Sequence, residues 1–98
     1  MATSVFTRDP WLVIADPEWS YDGLITGWSA VVTDAEQAMQ DQVKLINRLL
    51  AQRLPGWTYW PDRGEFTGSP RDNAQSVVTE LVDETTDHLL DKLGVLPQ

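Results

Sequence analysis

The sequence predicts a single α+β domain over residues 1–98. Three observations lead to this prediction: two long stretches with periodic apolar residues, a β-branched run near the N-terminus, and two aromatic segments joined by a proline–glycine turn. An apolar period of about 3.6 residues is typical of a helix with one buried face, and β-branched and aromatic runs are typical of strands. We therefore expect two antiparallel amphipathic helices with a small β-hairpin and an N-terminal strand; an all-α helical hairpin is the alternative.

The N-terminal part of the chain has one short apolar run, WLVIA at residues 11–15, which ends at an Asp-Pro pair. We interpret this run as a buried strand and residues 17–23 as a turn-rich connector. The sequence pattern of residues 24–32 allows two secondary-structure interpretations. These residues fit a second strand, and their last four residues also fit an N-terminal extension of the next helix.

Residues 33–54 have the clearest pattern in the chain and predict the first long helix. Thr33 and Glu36 have the spacing of a capping box at its start, and Pro55 and Gly56 end it. Acidic residues lie in its first half and basic residues in its second, which complements the helix dipole. The residues expected to be buried are Ala35, Met39, Val43, Ile46, Leu50 and Leu54.

A β-hairpin is predicted where residues 57–60 (WTYW) and 65–67 (EFT) flank the turn sequence PDRG. Proline early in a turn and glycine at its end are typical of such connections. Trp57 and Tyr59 point to one side of a strand and Trp60 to the other. One side is expected to be core and the other a binding surface or subunit contact, so all three aromatics are candidate partner-binding residues. We expect Trp60 to be the exposed one because it adjoins the turn.

The second long helix is expected to begin with Ser69 as N-cap and Pro70 in the first turn, and to run to about Leu93 before Gly94. A 100° advance per residue places one set of apolar and small residues on the same side. That predicted buried face consists of Ala74, Val77, Val78, Leu81, Val82, Thr85, Leu89 and Leu93.

Composition excludes several classes of function. Fifteen Asp and Glu against seven Lys and Arg give a formal charge of -8, the wrong sign for direct binding of nucleic acid. The chain has no cysteine, which excludes disulfides, thiolate metal sites and a cysteine nucleophile. Its N-terminal residues form neither a secretion signal nor a membrane-length apolar run, so we expect a cytoplasmic protein without a membrane partner.

An acidic stripe lies opposite the apolar face of the second helix. Several of its members are like-charge pairs four residues apart, which destabilises an isolated helix. One interpretation is a solvated outer face. The other is a surface that binds a basic protein partner, including the case in which the carboxylates mimic nucleic-acid phosphates. The stripe consists of Glu80, Asp83, Glu84, Asp87 and Asp91.

The functional interpretation of the stripe predicts a non-catalytic protein-binding module, a small inhibitor or accessory factor of the antitoxin-like or phage type. The alternative is a structural or assembly subunit of a homo-oligomer, whose aromatic hairpin and helices complete their burial in the assembly. A salt-sensitive complex with a basic protein would favour the first hypothesis. A concentration-dependent oligomer of the protein alone would favour the second.

His88 is the only histidine, and it has Glu84 and Asp91 within helical reach. One imidazole with two exposed carboxylates is a poor donor set for zinc, so we interpret His88 as a boundary residue paired with Glu84. None of the serines lies in a recognisable nucleophile elbow. We therefore predict no catalytic residue, no metal and no cofactor.

Residues 12–23 (LVIADPEWSYDG) combine an apolar strand with Asp16-Pro17-Glu18-Trp19. This segment resembles the catalytic strand and loop of adenine-N6 methyltransferases of the DPPW type, and the resemblance implies base-holding roles for Asp16, Pro17 and Trp19. The chain departs from that family because Glu18 replaces the second proline, the length is about half of such a domain, and no Gly-rich loop follows a strand. We favour a strand end and a turn whose Trp19 and Tyr21 pack on the core.

Overall fold

A computed structural model describes residues 3–92 of the chain. Its helices and strands form an α+β fold, which confirms the main prediction, and the all-α alternative does not fit. In chain order the elements are β1 (Ser4–Arg8), β2 (Trp11–Ala15), a 3-10 turn (Pro17–Trp19), α1 (Tyr21–Ser29), α2 (Ala35–Arg53), β3 (Thr58–Trp60), β4 (Glu65–Gly68) and α3 (Ala74–Lys92).

The four strands form one antiparallel sheet in the order β1-β2-β4-β3. Ile14 of β2 aligns with Phe66 of β4, which aligns with Tyr59 of β3, and this row faces the core because all three side chains are buried. Strand β2 and the predicted hairpin are confirmed. The turn between β3 and β4 closes at Gly64, whose φ of 66° lies in the left-handed region that favours glycine.

The main core lies between the sheet and the two long helices. Ile46 and Leu50 of α2 pack there with Val78 and Leu81 of α3. The start of α2 instead shares a second cluster with the end of α3, through Met39 and Leu89, so the two helices run antiparallel as predicted.

The second cluster extends the fold beyond the sheet. Leu24 and Trp28 of α1 are buried there against Ala35, Ala38 and Met39 of α2. The buried members of this cluster are all helical, and they hold α1 against α2 and α3. The first residue of α1 is also tied to the β3–β4 turn, because the Tyr21 backbone N–H donates to the Pro61 carbonyl oxygen at 2.7 Å.

The two long helices begin later than predicted. The side chain of Asp34, not Thr33, accepts the capping hydrogen bond from the Gln37 backbone N–H of α2. Helix α3 begins at Ala74 and not at Ser69–Pro70, because the Ser69 carbonyl oxygen accepts a hydrogen bond from the Trp57 indole and is held at the end of the sheet. The predicted end at Leu93 and Gly94 lies outside the described residues.

The segment 24–32 is neither a second strand nor an extension of α2. Most of it belongs to the separate helix α1, which starts where the Ser20 side chain accepts from the Gly23 backbone N–H. Tyr21, expected to pack on the core, is 37% exposed at the start of α1, and its hydroxyl lies 3.3 Å from a carboxylate oxygen of Glu36.

Among residues 3–92, none of the helices combines the length and the apolar character needed to cross a membrane.

Candidate functional site

A groove of about 870 Å³ lies between α1 and α3 and is called the α1–α3 groove below. Helix α1 contributes Leu24, Gly27 and Trp28 to its lining, and α3 contributes Val82 and Leu90. These side chains make the groove largely apolar, a common property of sites that bind ligands or partner helices.

The floor of the groove is a series of two hydrogen bonds that connects three helices, one of them buried and the other partly buried. The Trp28 indole N–H donates to the side-chain oxygen of Gln42 at 2.6 Å, and the Gln42 amide nitrogen donates to the Thr86 hydroxyl at 2.9 Å. Gln42 is only 1% exposed, so its amide is satisfied entirely inside the protein. These two hydrogen bonds fix the separation of α1 and α3 and therefore the shape of the groove.

The two glycines of α1 differ in whether the surrounding structure requires glycine at that position. A Cβ at Gly23 would lie 2.4 Å from the Pro17 carbonyl oxygen, so the close approach of the 3-10 turn requires glycine there. A Cβ at Gly27 would meet nothing within 4 Å, because Gly27 faces the open groove. Glycine inside a helix costs about 0.5–1 kcal/mol relative to alanine, and packing gives no reason for that cost at Gly27.

All charged residues that line the groove within residues 3–92 are acidic. They are Glu18 in the 3-10 turn, Asp22 in the first turn of α1 and Asp83 of α3. Asp83 also belongs to the acidic stripe, so the acidic rim of the groove continues onto the outer face of α3.

All five residues of the acidic stripe are exposed on α3. Glu84 does not pair with His88, contrary to the sequence-based interpretation. Both of its carboxylate oxygens accept hydrogen bonds from the Arg53 guanidinium at the end of α2, and these bonds lower the pKa of the Glu84 carboxyl. The remaining acids, Glu80, Asp83, Asp87 and Asp91, point away from the core.

The aromatic side chains of the hairpin lie on opposite faces of the sheet, as strand geometry predicts. Trp57 and Tyr59 are 6% and 3% exposed and belong to the main core, whereas Trp60 is 42% exposed. Burial raises the pKa of the Tyr59 hydroxyl well above its usual range, and the hydroxyl donates to the Trp19 carbonyl oxygen. Of the three candidates, only Trp60 has a largely exposed ring, so its role as a partner contact stays a prediction.

Trp60 lies on the outer sheet face, the side of the sheet opposite the helices. Its indole N–H donates to the Thr67 hydroxyl at 2.8 Å, and the Arg63 guanidinium lies 4.9 Å from its ring centroid. Arg63 also contacts Glu65, whose two carboxylate oxygens each accept a hydrogen bond from Arg8 at 3.1 Å. The Arg8 hydrogen bonds are the main reason that the pKa of Glu65 is lowered.

The segment that resembles the methyltransferase loop has a local structural role. Asp16 is buried, and its two carboxylate oxygens accept from the Glu18 backbone N–H at 2.9 Å and from the Thr3 hydroxyl at 2.8 Å. Trp19 packs edge-on against Phe66, with ring centroids 5.4 Å apart, as the packing interpretation predicted for this residue.

Residues 3–92 contain no group of three or more histidine, aspartate or glutamate side chains placed to hold a metal ion. Comparison of the chain with family models, with curated proteins and with solved structures gave no match.

Sequence reasoning missed Gln42 and Gly27, the two residues that define the floor and the opening of the groove. Gln42 lies three residues after Met39 and four before Ile46, so a polar side chain on the predicted apolar face of α2 was the available signal. Nothing in the sequence marked Gly27 as a groove residue, because residues 24–32 were not assigned to a helix.

Proposed function

We propose that the protein is a non-catalytic protein-binding module whose α1–α3 groove accepts a basic, amphipathic segment of a partner protein. The observation that carries the proposal is the composition of the groove: largely apolar walls with an exclusively acidic rim among the described residues. A helix with one apolar and one cationic face complements both properties.

The apolar part of the contact would lie between α1 and α3. Leu24 and Trp28 form one wall and Val82 and Leu90 the other, and Gly27 leaves space between them. An amphipathic helix buries anchors at three- and four-residue steps in such a groove. This burial would supply most of the affinity, because apolar contact area is the main favourable term in such association.

The charges would supply attraction and orientation. Glu18, Asp22 and Asp83 ring the groove, and Asp87 and Asp91 continue the negative surface along α3. A net charge of -8 attracts a cationic segment over a distance and speeds its association, and this attraction weakens as salt increases. The same field repels nucleic acid, so a protein partner fits the charge distribution better.

Capture of a basic segment gives the protein the role of an inhibitor or accessory factor. If the captured segment belongs to the cationic surface of a nucleic-acid-binding protein, the carboxylates of α3 take the place of phosphates there. Nucleic-acid mimicry is therefore one case of the same binding mode. In that case this protein and nucleic acid compete for the same partner.

The experiment is a titration of ¹⁵N-labelled protein with a synthetic helix of leucine and lysine that carries its lysines on one face. We expect shifts at the backbone N–H groups of Gly27 and Thr86 and at the Trp28 indole, with weaker binding at high salt. The same peptide with glutamate in place of lysine is the matched control and should not bind. Shifts confined to Asp87 and Asp91, away from the groove, or equal binding of the glutamate peptide would contradict the proposal.

A further inference from the structure

Strand β1 lies at the edge of the sheet, and among the described residues it pairs only with β2. All five of its residues are exposed, whereas the other edge strand, β3, has only three residues. Along an edge strand, alternate residues direct backbone N–H and C=O groups to the outside of the sheet. Strand β1 is therefore the longer open edge onto which another strand can add.

Strand β1 has few of the usual features that protect an edge. It contains no proline and no lysine, and Arg8, its one charged residue, reaches across the sheet to Glu65. Val5 is 45% exposed and Phe6 is 41% exposed, and neighbouring residues of a strand point to opposite faces. The edge thus presents apolar side chains on both sides of the sheet.

We propose that β1 pairs antiparallel with β1 of a second copy of this chain, with a two-fold axis through Phe6. In this register Phe6 lies opposite the partner's Phe6, Val5 lies opposite the partner's Thr7, and Ser4 lies opposite the partner's Arg8. The pairing joins two four-stranded sheets into one of eight strands. It is self-complementary, as a two-fold interface requires.

The charge of β1 itself does not oppose pairing with a second copy, although the chain carries a net charge of -8. The sequence Ser4-Val5-Phe6-Thr7-Arg8 brings no acidic residue to the interface, and its register sets no like charges directly opposite each other. The acidic stripe lies on α3, which is a different element from the one that pairs. The dimer surface is also separate from the α1–α3 groove, so it does not depend on the proposed function.

The first test is sedimentation equilibrium of the full chain over a range of concentrations. We expect a dimer of twice the 11.0 kDa chain mass. The double variant Val5→Lys/Thr7→Lys sets lysines opposite each other in the proposed register and should weaken the dimer about tenfold or more. Gln75→Lys/Thr79→Lys changes the net charge equally on the exposed surface of α3 and should leave the dimer intact.

The second test fixes the register, and it is clean because the chain has no cysteine. Phe6→Cys places two thiols next to each other across the two-fold axis, so mild oxidation should give a covalent dimer in high yield. Thr79→Cys, exposed on α3, is the control and should give little. A wild-type chain that stays monomeric at every concentration, or equal dimerisation of both lysine variants, would overturn the proposal.

Discussion

Trp28 and Gln42 are joined by a buried hydrogen bond of 2.6 Å, and this bond fixes α1 on α2 below the α1–α3 groove. Since the Gln42 amide also donates to Thr86 of α3, one side chain holds three helices in register. The groove is therefore an organised feature of the helical layer and not a gap left by loose packing.

Gln42→Leu should lower the free energy of unfolding by about 1–3 kcal/mol, because it leaves the buried Trp28 indole N–H and the Thr86 hydroxyl without their partner. Gln40→Leu is the matched control, since Gln40 is exposed on the same helix and should change stability little. Urea denaturation followed by circular dichroism measures both. A neutral Gln42→Leu would mean that the hydrogen-bond chain does not fix α1.

Trp57→Ala should cost about 3–5 kcal/mol, because it removes a buried ring and its indole hydrogen bond to Ser69. Trp60→Ala should cost much less, because its ring lies on the outer sheet face and is 42% exposed. Denaturation of the two variants side by side distinguishes core from surface within the hairpin. Similar losses for both would place Trp60 in the core as well.

The two long helices and the hairpin were predictable because their side chains alternate between buried and exposed positions. Ile46, Leu50, Val78 and Leu81 follow the helical period, and all four are buried as predicted. Trp60 was predictable as the exposed aromatic because strand geometry separates it from Tyr59.

The groove was not predictable because its first wall, α1, carries weak helical signals. Gly23 and Gly27 are unfavourable inside helices, and the β-branched Ile25 and Thr26 fit a strand as well as a helix. Strand β1 was missed for a related reason. All of the residues Ser4–Arg8 are exposed, so the sequence of this strand has no alternation of apolar and polar residues that would predict it.

Glu65 should make stability depend on pH on the acid side. The hydrogen bonds from Arg8 hold its folded-state pKa below the ordinary 4.5, so the stabilising contribution is fully present above pH 4.5. It is lost as the pH falls through the lower folded-state pKa, because protonation then breaks the ion pair. Glu65→Gln should flatten the stability profile in this range. A profile identical to that of the wild type would show that Glu65 is not coupled to Arg8.

Replacing Asp83, Asp87 and Asp91 together with Asn should leave the fold intact and raise stability by about 0.2–0.5 kcal/mol per relieved pair. The variant should bind the leucine–lysine peptide more weakly and with a smaller dependence on salt. Thermal melting and calorimetric titration at two salt concentrations measure these effects.

The matched control for the acidic stripe removes three exposed acids that do not line the groove, Asp9, Asp62 and Asp72. It changes the net charge by the same amount, so comparing the two variants distinguishes the effect of the stripe carboxylates on binding from the effect of the protein's net charge. If both triple variants weakened binding to the same degree, overall charge and not the stripe would explain the attraction.

Gly27 offers the most direct test of the groove, because it lines the groove and a Cβ added there meets nothing within 4 Å. Gly27→Ala adds one methyl group and should raise helix stability by about 0.5–1 kcal/mol with most of the peptide affinity retained. Gly27→Leu should be at least as stable as the wild type, but its larger side chain occupies the space that a partner's apolar anchor needs.

The deciding measurement is calorimetric titration of wild type, Gly27→Ala and Gly27→Leu with the leucine–lysine peptide, with thermal melting of each protein alongside. We predict an affinity loss of about tenfold or more for Gly27→Leu alone, without loss of stability, which corresponds to about 1.4 kcal/mol of binding free energy. Equal affinity of all three proteins for the peptide would show that the peptide does not occupy the α1–α3 groove and would contradict the proposed binding site.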